Sequence, residues 1–169
     1  MERGAELQAR YEDLWRQFGD GLFRLVSSYE SAPHAREDLL QEIQLALWKA
    51  LPAFRGDCSL RTFVYRVAHN RALTHAWRRR AEPLLSEDFA DVDDPAPTPE
   101  AATIRKANHA SLAEAIRRLP VVYRQVITMA LEEMPQSEIA AVLGTSENNV
   151  AVRLNRARNL LRRQLGEKR

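Results

Sequence analysis

A single cysteine, Cys58, serves all 169 residues, which excludes an intramolecular disulfide framework and any zinc site built from clustered thiolates. The four histidines, His34, His69, His75 and His109, stand at no metal-ligand spacing, so no metal is expected. No run of about 18 apolar residues is present to span a membrane, and membrane insertion is not expected. The N-terminus, MERGAELQAR, is charged where a secretory leader would be apolar, which predicts a soluble cytoplasmic protein. No convincing period-2 alternation marks a strand. Nor does any set of acid, base or nucleophile residues converge on a catalytic pattern, so neither a cofactor nor enzymatic activity is expected.

What is abundant is charge, and its distribution says more than the net value of +2. From Ala53 to Arg80 seven arginines (55, 61, 66, 71, 78, 79 and 80) face Asp57 alone. From Ala81 to Ile104 there are seven acids and no basic residue, and from Arg153 to the end seven basic residues accompany only Glu167. Two basic patches separated by an acidic stretch point to two contacts with a polyanion.

Helical periodicity runs through both ends of the chain. Leu7, Tyr11, Leu14, Trp15, Phe18, Leu22, Leu25, Val26 and Tyr29 hold it for six turns. Gly19 and Gly21 interrupt that run, at about 1 kcal/mol each relative to alanine, and predict a kink or break. A second helix is expected from about Ala35 to Leu51, stopped by Pro52, followed by a loop to Cys58. Ser59 then caps a third helix reaching about Arg80. Between Glu82 and Thr103 four prolines (83, 95, 97 and 99) and the acids remove helix and core potential, predicting a flexible linker. Further helices are expected near 104–118, 121–133, 135–143 and 146–165, with Leu119-Pro120 separating the first two. The expected fold is all-α, with small helical domains at 1–81 and 104–169 joined by the linker 82–103.

The segment from Pro135 to Arg162 is the most specific. Ile139, Ala140 and Leu143 share one face; Val150, Leu154, Ala157 and Leu161 form a second stripe at steps of four, three and four. Pro135 suits a first helical position, Gly144 the residue just past a helix end, and Ser146 an N-cap with Glu147 in the first turn. Opposite the second stripe lie Asn148, Asn149, Val152, Asn155, Arg156 and Asn159. This is the pattern of a helix-turn-helix whose second helix offers amides and guanidinium groups to base edges.

Three blocks, in order, resemble one family. Glu37 to Lys49, EDLLQEIQLALWK, resembles the core-polymerase-binding helix of bacterial sigma-70 factors. Phe54 to Asp57, FRGD, with Thr62 to Asn70, TFVYRVAHN, resembles the promoter-opening segment of their extracytoplasmic-function group. Arg118-Leu119-Pro120, Glu138-Ile139-Ala140 and Arg153 to Arg158 resemble that group's second DNA-binding domain. The resemblance implies a two-domain alternative sigma factor: a sigma-2-like bundle and a sigma-4-like helix-turn-helix domain. Such a factor binds core RNA polymerase and promoter DNA, recognises −35 and −10 elements, and assists melting of the second.

Carried onto this chain, the resemblance makes Asp38, Gln41, Glu42 and Leu45 the polymerase contact, an acidic strip around an apolar centre, with Trp48 assigned to the core. It makes Phe54, Arg55, Arg61, Thr62, Arg66, Asn70, Arg78 and Arg79 the −10 contact. Phe54 can stack on a base or anchor its loop, Phe63 and Tyr65 can face the strand or the core, and Arg78 to Arg80 can hold duplex backbone or form a solvated helix end. Asn148, Asn149, Val152, Arg153, Asn155 and Arg156 become the −35 readers, with amide-adenine and guanidinium-guanine pairs each worth about 1–3 kcal/mol of discrimination. Asn149 stands where the family often has threonine, and Ala151-Val152 follow Val150, which leaves few charged readers in mid-helix. Val152 can touch a thymine methyl. The acidic linker can thread the polymerase's RNA path or act as a plain tether. With four residues after Leu165, no appended regulatory domain is expected; control then falls to expression, modification or a partner, an anti-sigma factor among them.

Overall fold

The computed structural model describes residues 2–81 and 101–166. Among them seven α-helices and one 3-10 turn account for the regular structure: α1 (Glu2–Tyr29), α2 (Pro33–Ala50), the turn Leu51–Ala53, α3 (Leu60–Ala81), α4 (Ala101–Arg117), α5 (Val121–Leu131), α6 (Gln136–Leu143) and α7 (Glu147–Gly166). The protein is all-α.

Each helix follows from its apolar spacing. In α2, Ala35, Leu39, Ile43 and Leu47 recur every four residues and all are buried. Pro33 opens the helix, where its missing N–H would have had no partner. The buried stripe of α3 is Val64, Ala68 and Ala72, and the two alanines let α2 and α3 approach closely. Ser59 caps α3, its Oγ accepting the Thr62 N–H at 3.0 Å.

In the C-terminal half, α5 buries Val126, Ile127 and Met129, and α7 buries Val150, Leu154, Ala157 and Leu161. The stripe read from the sequence for α7 is therefore the buried one. Gly144 ends α6 in the left-handed region at φ +62°, while the Thr145 N–H closes on the Ala140 carbonyl at 3.1 Å. Pro135 sits one residue outside α6 with extended backbone, its carbonyl accepting the Ile139 N–H at 3.0 Å.

Two expectations are corrected. First, α1 runs unbroken through Gly19 and Gly21, because Leu14, Leu22, Leu25 and Val26 carry a continuous buried stripe past them. Gly21 is a point of close approach: a Cβ there would collide with the Tyr65 hydroxyl and lie 2.9 Å from a Glu132 oxygen. Second, α4 begins at Ala101, so residues 101–103, read as linker, are helical. The rest of that segment, 82–100, lies outside the described residues.

α1 packs against α2 and α3 on one side and against α4 and α5 on the other, while α3 also meets α6. The buried residues of both halves consequently form one continuous core. His69 is sealed inside it, 1% exposed, with Nδ1 3.4 Å from the Tyr29 hydroxyl and no partner for Nε2. Burial pushes its pKa down to about 3.

The unfolded chain thus takes up a proton near pH 6.5 that the folded chain refuses until about pH 3, so stability falls as pH drops through that window. Chemical denaturation of the wild type against His69→Gln from pH 7 to 5 is expected to show an extra slope of about 1.4 kcal/mol per pH unit in the wild type below pH 6.5. Parallel slopes would refute the buried neutral imidazole.

Candidate nucleic-acid and polymerase interfaces

α7 presents a polar face away from its buried stripe. Asn148, Asn155 and Arg156 are exposed there, Val152 is 42% exposed, and Asn149 and Arg153 are half-buried. The turn before the helix sets its orientation: Ser146 Oγ accepts the Asn149 N–H at 3.2 Å. The Asn149 amide nitrogen also donates back to Thr145 Oγ1 at 2.9 Å. Asn149 is therefore tied to the turn, whereas Asn148 stands outward beside it.

The residues read as a −10 contact lie on α3 and the loop before it. Arg55 is exposed on the loop and Asn70 on α3. Phe54 packs against Phe63 with ring centroids 4.7 Å apart and planes tilted by 36°, so here it anchors the loop. Tyr65 is 2% exposed and belongs to the core; its hydroxyl is pushed well above the ordinary phenol range, mainly by burial. Arg78 is exposed, and the Arg79 side chain lies outside the described residues. Trp77, given no role by the sequence reading, is 62% exposed next to Arg78.

Arg61, Thr62 and Arg66 are engaged by the other half of the molecule. Arg61 donates through Nε and Nη2 to Glu138 Oε2 at 2.9 and 2.5 Å. Ser59 and Thr62 donate to Glu138 Oε1 at 2.6 and 3.2 Å. Arg66 donates to the Ala141 carbonyl at 2.7 Å. The Arg61 guanidinium holds Glu138 below the usual carboxylate range. Sequence reading missed this cluster because its partners are 75 to 79 residues apart. The only available signal was seven arginines in one segment with a single acid to balance them.

A second set of contacts joins α1 to α4 and α5. Arg24 makes a bidentate pair with Glu132 at 2.6 and 2.7 Å. Arg117 donates to the Ser27 carbonyl at 2.9 Å, and the Arg124 guanidinium lies 5.2 Å from the Tyr29 ring centroid.

The α2 strip faces outward. Asp38 and Gln41 are exposed, and Leu45 is 53% exposed, an apolar side chain between polar ones. Glu42 differs, since its carboxylate reaches His75 Nδ1 at 3.2 Å and lies 4.0 Å from Arg71. His75 Nε2 meets Glu30 at 3.1 Å, so the imidazole bridges α1, α2 and α3. Among the described residues no helix is long and apolar enough to cross a membrane, and no three His, Cys, Asp or Glu residues are placed to hold a metal.

An outward polar face on α7, an arginine-rich α3 and an acidic-apolar strip on α2 are thus carried by three different helices of one chain. Comparison with known proteins gives the family. The Sigma-70 region 2 model matches residues 14–82, and the Sigma-70, region 4 model matches residues 109–161. The sigma-H factor of Pseudomonas aeruginosa is 30% identical over 143 residues, covering 76% of this chain and 72% of that protein. The ECF sigma factor SigG of Mycobacterium tuberculosis is 30% identical over 184 residues, covering 95% of this chain and 49% of its own length. The chain thus spans about half the length of the first curated relatives it matches. Among solved structures, CnrH in complex with the cytosolic domain of CnrY superposes with a TM-score of 0.70 at 26% identity, covering 96% of this chain and 91% of that one. The chain belongs to the sigma-70 family of RNA polymerase sigma factors, in its extracytoplasmic-function group.

Because Ser146 satisfies an N–H at the start of α7, Ser146→Ala is expected to destabilise the fold by about 1 kcal/mol. Thermal unfolding checks this, and an unchanged midpoint would show that the cap is not needed.

Proposed function

We propose that this chain is an alternative sigma factor that binds core RNA polymerase and directs promoter-specific initiation, acting in the cytoplasm without catalytic chemistry of its own. The observation that carries the reading is one molecule bearing two separate candidate DNA-reading helices, α3 and α7, and an outward Asp38–Gln41–Leu45 strip on α2. Residues 1–81 would form the polymerase and −10 unit, and the segment from α4 onward, 101–169, the −35 unit, with 82–100 as the tether between them. Two spaced promoter elements require two such units on one chain.

α7 would enter the major groove at −35, with Asn148, Asn155 and Arg156 at base edges, Val152 against a thymine methyl, and Arg153 on base or phosphate. Asn149, tied to Thr145, would position the start of the helix and offer its remaining acceptor. At −10, Arg55, Arg61, Arg66 and Arg78 would hold phosphates, with Arg79 beside them, while Thr62 and Asn70 would bond the strand. Phe54 and its loop would wall the pocket that holds an unstacked base. An anti-sigma protein is a further partner proposed for this chain.

Co-elution with core RNA polymerase, followed by transcription from fragmented host DNA, tests the reading. Start sites sharing two spaced elements are expected. Tight duplex binding by the chain alone, with no affinity for core, would make it an independent regulator. Asp38→Arg with Leu45→Ala should weaken core binding about tenfold or more with the fold intact; equal competition for core would move the interface elsewhere. Asn148→Ala with Arg156→Ala should flatten −35 preference across a promoter library, at about 1–3 kcal/mol per lost base contact, while core binding persists.

A further inference from the structure

Glu42 differs from the residues beside it on α2. Asp38 lies one turn before it and Leu45 one turn after, and both are exposed. The Glu42 side chain keeps 33% of its exposure and turns toward α3. Its Oε1 lies 3.2 Å from His75 Nδ1. Its Oε2 is shut off from solvent with no hydrogen-bond partner among the described residues, and Arg71 is 4.0 Å away. The other ring nitrogen of His75, Nε2, lies 3.1 Å from Glu30, one residue past the end of α1. His75 and Glu30 each keep only 12% side-chain exposure.

An ionised carboxylate only accepts hydrogen bonds, whereas a neutral imidazole has one donor and one acceptor. A neutral ring would satisfy one of these glutamates and turn a lone pair toward the other. Protonated at both nitrogens, the ring donates to both, and with Arg71 the cluster holds two cations against two anions. We infer that His75 is a positioning residue for the polymerase strip: donating from both ring nitrogens, it fastens Glu42 of α2 and Glu30 at the end of α1 to α3. Glu42 then steadies Asp38, Gln41 and Leu45 from behind instead of joining them at the polymerase. This rests on the functional reading above and gives one residue of the expected strip a different task.

The rest of the α2–α3 contact shows why such a tie is needed. Leu39, Ile43 and Leu47 meet a stripe of Val64, Ala68 and Ala72, and apolar burial is not directional. It sets how close the helices lie, but it holds their rotation about their own axes weakly. A hydrogen bond is directional, and this one stands at the edge of the strip, where a small rotation of α2 would re-aim Leu45. His75 also falls between Asn70 and Arg78 on α3, two residues of the proposed −10 contact. The tie therefore joins the helix that would hold polymerase to the helix that would hold DNA.

The test compares the full chain with His75→Gln, Glu42→Gln and the double variant in competition for core RNA polymerase, with circular dichroism confirming equal helicity. An amide at position 75 keeps a donor for one carboxylate but turns its carbonyl toward the other, so His75→Gln should lower core affinity about fivefold. Glu42→Gln can still accept from the ring and should bind core as the wild type does. In the double variant the amide at 42 can donate to the carbonyl at 75, and affinity should recover to within about twofold of wild type. Nuclear magnetic resonance of the free, isotope-labelled wild type at neutral pH should show protons on both ring nitrogens of His75. Weakened binding by Glu42→Gln, with no recovery in the double variant, would return Glu42 to the polymerase contact and overturn the inference. A His75 ring carrying one proton, or equal core affinity of all four chains, would overturn it as well. Should His75→Gln fail to fold, the ring protons of the wild type and the affinity of Glu42→Gln decide the outcome. A wild type that does not bind core overturns the sigma-factor reading and this inference with it, whereas the ring protons, measured without polymerase, judge the tie alone.

Discussion

The packing of α1 is the constraint that ties the two halves together. Leu14, Leu22, Leu25 and Val26 are all buried, yet the neighbours they serve belong to different halves of the chain, α2 and α3 in one and α4 and α5 in the other. A helix stripe about a third of its circumference wide suffices for one partner. At Gly21 the missing side chain leaves room for Tyr65 of α3 and Glu132 of the C-terminal half. The same residue that weakens α1 as an isolated helix is what allows Tyr65 and Glu132 to close over it.

The strength of that closure follows from burial. Arg24 keeps 61% of its side-chain exposure while Glu132 keeps 12%, and Arg61 keeps 34% against 14% for Glu138. Pairs of this kind, with one partner still in water, contribute about 0–1 kcal/mol each. The hydroxyls of Ser59 and Thr62 donate to the ionised Glu138, charge-assisted bonds that are stronger than neutral ones. Separation of the halves would therefore open the apolar core they share as well as these polar contacts.

How much was readable in the residues depended on the range of the interaction. The α7 stripe, the left-handed Gly144 and the Ser146 cap are set by neighbours within five positions, and all were legible. The α2 stripe was legible for the same reason. Phe54 was not: stacking on Phe63 or on a base are equally available to an aromatic at a loop, and only the folded distance separates them. Gly21 was misread as a helix breaker because its reason lies 44 residues away in Tyr65 and 111 away in Glu132. Glu42 was read as part of the exposed strip, though His75, 33 residues on, meets its carboxylate and Arg71, 29 residues on, lies 4.0 Å from it. Local chemistry prints itself in a sequence, whereas the choice of distant partner does not.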